Sequence, residues 1–345
     1  MTEPPAHPNA AACRAPDVPL LVVSCDAYGD LWRPFFALFH QRWPDCPFRV
    51  YLGTNEESFD DPQVTVLHCG PDRPWSVNLR RMLDQLGGEY VILLLEDFFL
   101  LRPVESDRLL RLVQLGLDHH VGCLRLYSIL PPPHPLHHEP GLSGLGGFEP
   151  GDAYRVTLQA ALWRVETLHR LLTPGLSPWQ FELLGSQLSE TFDEPFWGVY
   201  EPPIVYEHVI EKGRWKPAGL ALCREASIEI DLAARPTFTD EEWRSYKRIH
   251  HIQARLATLR AETVRAFLTG RRQTGLSLAV HYLCRRPLSV GMLAVVVFGL
   301  LGPGPLNRLR RLHVRAKLLA IRCRLARSTH KAQVVTHARK RAISP

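Results

Sequence analysis

Residues Tyr90–Leu101 read YVILLLEDFFLL. Five apolar residues, Val91 to Leu95, run straight into two carboxylates, Glu96 and Asp97, and two phenylalanines follow. A run apolar at successive positions is buried on both faces, as a central strand of a parallel sheet is. Carboxylates at the C-terminal end of such a strand lie where an open α/β sheet places ligands. Two adjacent charges there are costly unless a cation, a hydroxyl or backbone N–H groups compensate them. Spacing alone leaves two readings: a ligand edge, or a turn cap after a buried strand.

Upstream, strands and helices alternate. Leu20–Cys25, LLVVSC, is a buried strand ending at Asp26, and Asp30 can cap a helix running to about Gln41. Strands follow at Phe48–Leu52 and Val64–His68. Ser76 is the expected cap of a helix with Leu79, Met82, Leu83 and Leu86 on one face, stopped by Gly87 and Gly88. This order predicts an α/β fold with a mainly parallel central sheet flanked by helices.

Downstream, a helix is expected over Glu105–Leu117 and strands over Val121–Leu126, Tyr154–Leu158 and Ile204–His208. Between them Pro131–Gly151, rich in Pro, Gly and His, reads as a long loop. Its His134, His137 and His138 read as solvated or as part of a lid. Ser177-Pro178 opens another helix, with Ser as cap and Pro in the first turn.

The formal net charge of +6 over 345 residues hides an asymmetry. Residues 1–245 carry 20 Lys and Arg against 34 Asp and Glu; residues 246–345 carry 21 against Glu262 alone. An acidic body is thus followed by a basic appendage suited to a polyanion. The domain organisation expected is a disordered segment at 1–17, a catalytic body at 18–238 and a basic helical region at 239–345. Within the last, residues 287–307 are uncharged, but Gly302-Pro303 limits the apolar part to 288–301. A membrane span needs roughly 20 apolar residues, so an interfacial or re-entrant segment is expected, its basic flanks on an anionic membrane surface. A true span and a buried hairpin are the alternatives. The cysteines form no CxxC pair and the first residues carry no signal-like apolar stretch. Both point to a reducing, cytoplasmic setting, and the basic C-terminal region then places the protein peripheral to the inner face of the plasma membrane.

Several side chains have the chemistry for a phosphate-bearing ligand. Asp97 can hold Mg²⁺ or Mn²⁺, which favour carboxylate plus phosphate oxygens, and Glu96 can bind a ribose hydroxyl. Asp26 can accept from a base or ribose, or cap the next helix. Trp75, Asn78, Arg80 and Arg81 open a helix, and helix N-termini with guanidinium groups suit phosphate. Glu182, beside Trp179 and Phe181, is a candidate base on an aromatic platform, with Asp193 and Glu194 as rivals. His208 is a candidate second metal ligand, and Arg214 and Lys216 can neutralise a diphosphate. Neither GxGxxG nor GxxxxGK[ST] occurs, which argues against a Rossmann dinucleotide site and a P-loop.

Taken together, VVSCDAYGDLW (22–32), WSVNLRRML (75–83), EYVILLLEDFFL (89–100), LQAALWRVETLHRLLTPGLSPWQFE (158–182) and VIEKGRWKPAGL (209–220) resemble a bacterial glycosyltransferase of the GT-A kind. The resemblance covers about residues 18–235. It implies a GT-A-like fold and transfer of a sugar from a nucleoside-diphosphate sugar to a glycan or lipid-linked acceptor, in polysaccharide biosynthesis. It further implies that Glu96-Asp97 stands for the acidic DxD-type motif, with an inverting displacement in which Glu182 or Asp193 is the base. The motif here is EDF, so both metal-dependent and metal-independent chemistry stay open. Competing functions are a nucleotidyltransferase on the same type of sheet, a glycoside hydrolase, and a non-catalytic, membrane-tethered carbohydrate-binding protein. No nucleic acid partner is expected.

Overall fold

The computed structural model describes residues 16–127, 129–321 and 323. The expected disordered segment lies almost wholly outside the described residues, as do the basic residues beyond 323.

The first half is built from β1 (Leu20–Val23), α1 (Gly29–Arg42), β2 (Val50–Thr54), β3 (Val64–His68), α2 (Trp75–Leu86), β4 (Tyr90–Leu95), β5 (Phe98–Leu100) and α3 (Ser106–Asp118). Next come β6 (Cys123–Arg125), β7 (His134–Pro135), β8 (Leu145–Gly147), β9 (Ala161–Arg164), α4 (Val165–Leu171), α5 (Pro178–Leu188) and β10 (Phe196–Val199). Then follow β11 (Tyr206–His208), β12 (Ile210–Glu211), β13 (Arg214–Trp215), α6 (Pro217–Glu225), α7 (Asp240–Leu268), α8 (Arg272–Leu283) and α9 (Val290–Leu300). Residues 303–321 are also helical.

Among the described residues, nine strands form one sheet in the order β3-β2-β1-β4-β9-β6-β10-β8-β7. The β3-β2-β1-β4 half is parallel throughout. β9 runs antiparallel between β4 and β6, and β10 is parallel to β6. The class is therefore α/β with a central sheet flanked by helices. β4 lies inside the sheet and alternates cleanly. Ile92 and Leu94 face the core under α1 and α3, while Val91 and Leu93 face the core under α2, α4 and α5. That two-faced burial is why its sequence is apolar without a break.

Some expectations are corrected. Pro131–Gly151 is not only loop: β7 and β8 lie within it and complete the sheet. Tyr154–Leu158 is not a strand. Its backbone N–H groups at Val156 and Leu158 are taken by Ser186 and Glu182 of α5, so no ladder is needed there. Ser76 is inside α2 and accepts from the Leu176 N–H, so it ties two segments instead of capping. Ser177 caps α5 with a reciprocal bond from Gln180, as its sequence indicated. Gly87 and Gly88, which end α2, both take positive φ, where a side chain would be strained.

α7, α8 and α9 share a third apolar core centred on Phe267, Tyr282, Met292 and Val295. Thr239 caps α7 with Glu242 in a capping box. No described helix is long and apolar enough to cross a membrane.

Candidate functional site

In the half-sheet β3-β2-β1-β4, successive strands run outward from β1 and then return to its other side, so the order reverses between β1 and β4. Ligand crevices of open α/β sheets lie outside the strand C-termini at such a point. Asp26 follows β1, Asn55 follows β2, and Glu96 and Asp97 follow β4.

The turn at 96–97 divides the acidic pair. Glu96 is buried, and burial first, then the Asp97 charge, pushes its carboxyl well above the ordinary value of 4.5. Asp97 reaches the surface with its side chain 13% exposed. Its Oδ2 lies 2.8 Å from His208 Nε2, while its buried Oδ1 accepts no hydrogen bond from the described residues. β11 pairs antiparallel with β5, which puts His208 opposite Phe98, and the Val209 N–H donates to the Asp97 carbonyl at 2.9 Å. Burial would lower the His208 pKa, but the Asp97 hydrogen bond and charge outweigh it and raise it above 6.5. Lys216 stands beside this pair, with Nζ 2.6 Å from Glu207 Oε1.

Around the β1 end, Asp26 accepts the backbone N–H groups of Asn55, Glu56 and Glu57 at 2.8 to 3.2 Å. The Asp26 N–H in turn donates to Asn55 Oδ1. The two loops are thereby locked together. Asp30, the expected cap, lies in the first turn of α1 and forms a two-pronged pair with Arg235, at 2.6 and 2.8 Å. Arg235 also donates to the Ala27 carbonyl and covers the Tyr28 ring at 4.4 Å. The Tyr28 phenol is pushed up by burial and by the charges of Glu96 and Asp97, so the β1 and β4 ends share one electrostatic environment. Cys25 is raised to about 11 by burial and by the Glu96 charge.

Glu182 lies at the same edge. Its Oε1 accepts from the Thr157 hydroxyl and the Leu158 N–H, both at 2.9 Å. β9, which follows, begins opposite Leu93 of β4. Burial first raises the Tyr206 phenol, and Tyr127 and then the charges of Asp97 and Glu182 add to the rise, so both carboxylates lie within electrostatic reach of Tyr206. The expected aromatic platform is absent: Phe181 is fully buried against Trp75 and Trp163, and Trp179 is 69% exposed.

Other candidates lie elsewhere. Asp193 precedes β10, whose first residue pairs with Cys123 near the start of β4, so it lies at the opposite sheet edge from Asp97. Glu194 accepts from Thr167 and Arg170 at that same far edge. Arg80 donates to the carbonyls of His169 and Leu172 around the end of α4, and Arg81 to that of Cys69. Asn78 holds the preceding loop through Asp72 and Arg73, and Trp75 packs on Phe181. Arg214 donates to Thr237 and Glu242, at the start of α7, and covers the Phe238 ring.

Three residues of this edge escaped the sequence. Asn55 follows a parallel strand just as Asp26 does, and the same rule would have found it. Arg125, at the end of β6, is 2% exposed, and burial lowers its pKa to about 10 despite the Glu182 charge. Nothing near Arg235 in sequence marks it, since its partner Asp30 is 205 residues away.

Among the described residues no group of three or more His, Cys, Asp and Glu could hold a metal ion. The two expected donors, Asp97 and His208, are in contact, which commits His208 Nε2 to Asp97 Oδ2, and Asp97 Oδ1 is buried. Of the two, only Asp97, through Oδ2, could join phosphate oxygens around a hard divalent ion.

No protein-family model matches the chain, and no curated protein matches it. Among solved structures it is similar to a cytidylyltransferase from Leptospira borgpetersenii serovar Hardjo-bovis, at 15% identity and a TM-score of 0.33, over 51% of this chain and 71% of that one. It is also similar to S. aureus TarS, at 11% identity and a TM-score of 0.35. That match spans 55% of this chain and 36% of TarS. At these scores neither likeness bears on what this chain does.

Proposed function

We propose that the chain transfers a sugar from a nucleoside-diphosphate sugar to an acceptor hydroxyl at the C-terminal edge of β1 and β4. The observation that carries this reading is the Asp97–His208 pair at the point where the strand order reverses, with the Asp26–Asn55 loops beside it. A nucleoside suits the β1–β2 loops, which offer a rigid, hydrogen-bonded rim. The diphosphate suits the β4 end, where Lys216 supplies positive charge and Asp97 would hold Mg²⁺ or Mn²⁺. A bound ion supplies Lewis-acid stabilisation to a departing diphosphate.

Glu182 is the proposed base. It removes the acceptor proton as the oxygen attacks the anomeric carbon, and the C–O bond to the diphosphate breaks with its electron pair on phosphate. Thr157 and Leu158 fix the carboxylate through one oxygen, which orients the group for proton transfer. Buried Glu96, whose carboxyl is held well above the ordinary range by burial and the Asp97 charge, lines the floor.

The test is release of nucleoside diphosphate from UDP-, GDP- and dTDP-sugars by the full chain. Asp97→Asn and Glu182→Gln are each expected to lower turnover by about 10²-fold or more without changing the melting temperature. Full turnover in both variants overturns the reading. Pyrophosphate release from a nucleoside triphosphate and a sugar phosphate would replace it with nucleotidyl transfer.

A further inference from the structure

α9 is apolar around its whole circumference. Its inner side, Met292, Val295 and Gly299, is buried in the third core, and Gly299 lies so close to the Phe267 ring that an added Cβ would sit 2.4 Å from it. Among the described residues, the outer side is exposed. Val290, Leu293, Val297, Leu300 and Leu301 form one stripe at helical spacing and are 43 to 77% exposed. Leu288, on the approach to the helix, is 91% exposed. Such a stripe marks an interaction site.

Charge decides the occupant. Exposed Arg285 and Arg286 precede the stripe, and exposed Arg308 and Arg311 follow it. Over residues 246–321 there are fourteen Lys and Arg against Glu262 alone. A second copy of this chain would bring two such cationic bodies face to face. An anionic bilayer meets both features, since its headgroups attract the arginines and its acyl boundary accepts the leucines and valines. An 11-residue helix is about 16 Å long, half the roughly 30 Å of a hydrocarbon core, so it lies in the interface plane.

We propose that the outer face of α9 and the Arg285–Leu288 turn seat the protein on an anionic lipid bilayer. This docking stands independently of the transferase reading.

The experiment is co-sedimentation of the full chain with phosphatidylcholine vesicles, with and without phosphatidylglycerol, at low and high salt. Binding is expected with phosphatidylglycerol and is expected to fall as salt rises. Leu288→Asp combined with Val297→Asp is expected to weaken it about tenfold or more, because both side chains then stay in water. Arg285→Glu with Arg286→Glu is expected to do the same through charge, at about fivefold per cation removed. All four positions are exposed, and circular dichroism and melting confirm that the variants fold. Four results overturn the proposal: no binding to phosphatidylglycerol vesicles, equal binding to both compositions, undiminished binding by the aspartate variant, or a dimer in light scattering that the aspartates dissociate.

Discussion

Glu96 and Asp97 are neighbours with opposite fates, and the difference is solvent. Asp97 faces His208 at the crevice, whereas Glu96 is enclosed, and burial together with the Asp97 charge keeps it protonated above the ordinary carboxylate range. Its folded pKa lies above the unfolded value. Its contribution to stability is therefore complete below about pH 4.5 and is lost as pH rises through the folded pKa. Glu96→Gln removes the ionisation but keeps the shape. It should melt above wild type at pH 8 and match it near pH 4, the gap growing by at most about 1.4 kcal/mol per pH unit. A gap that is constant with pH would show that Glu96 ionises equally readily in the folded and unfolded chain, so that burial does not raise its pKa. His208 has the same sign for a different reason: Asp97 outweighs burial, and the protonated form is favoured up to a pH above 6.5. In Asp97→Asn burial and Lys216 still lower the value and only the more weakly acting Glu211 raises it, so NMR titration of the ring should give a value below 6.5. An unchanged titration would mean that the pair does not hold together in solution.

The short elements after Asp97 position the site. β5 and β11 form a separate two-stranded ladder, and Val209, one residue past His208, supports α6 through Gly219. A Cβ at Gly219 would stand 2.6 Å from Val209 Cβ and 3.2 Å from its Cα, and the Val209 backbone is held by its N–H on the Asp97 carbonyl and by the Lys216 N–H on its own carbonyl, so it cannot swing aside. Gly219→Ala gains up to about 1 kcal/mol in helix propensity, but overpacking costs about 1 to 3 kcal/mol, so net destabilisation is expected in urea unfolding. A raised midpoint would show that α6 slides freely. Elements of this size also mark the limit of the sequence. β1 and β4 were legible because parallel strands covered on both faces need unbroken apolar runs. β7 and β8 were hidden because two- and three-residue edge pairings leave no period in a Pro- and Gly-rich segment. Of the site, the carboxylates at strand ends could be read from one position each. Arg80 and Arg214 could not be placed, because a guanidinium's partner is chosen by tertiary packing, here the carbonyls around the end of α4 and the cap of α7.

Across the whole molecule, the charge asymmetry of the sequence becomes a contact between unlike bodies. Basic helices meet the acidic α/β body through Arg265 and Asp152 at 3.3 Å, Arg310 and Glu190, and Tyr246 and Glu211 at 2.8 Å, and Val314 enters the core beneath α4 and α5. These pairs are partly buried, so the cost of desolvating the charges offsets much of their attraction, and they set orientation more than stability. The charge imbalance was visible in composition; the docking partner of each cation was not. What joins all scales is the claim that the β1 and β4 ends form a crevice for a nucleoside diphosphate. Isothermal titration of the full chain with UDP, GDP and dTDP, with and without Mn²⁺, tests that claim most directly. The account predicts that at least one binds with a Kd below about 1 mM and that Asp97→Asn weakens it about tenfold or more at unchanged melting temperature. Binding of none of the three, or binding by Asp97→Asn equal to wild type, would contradict it.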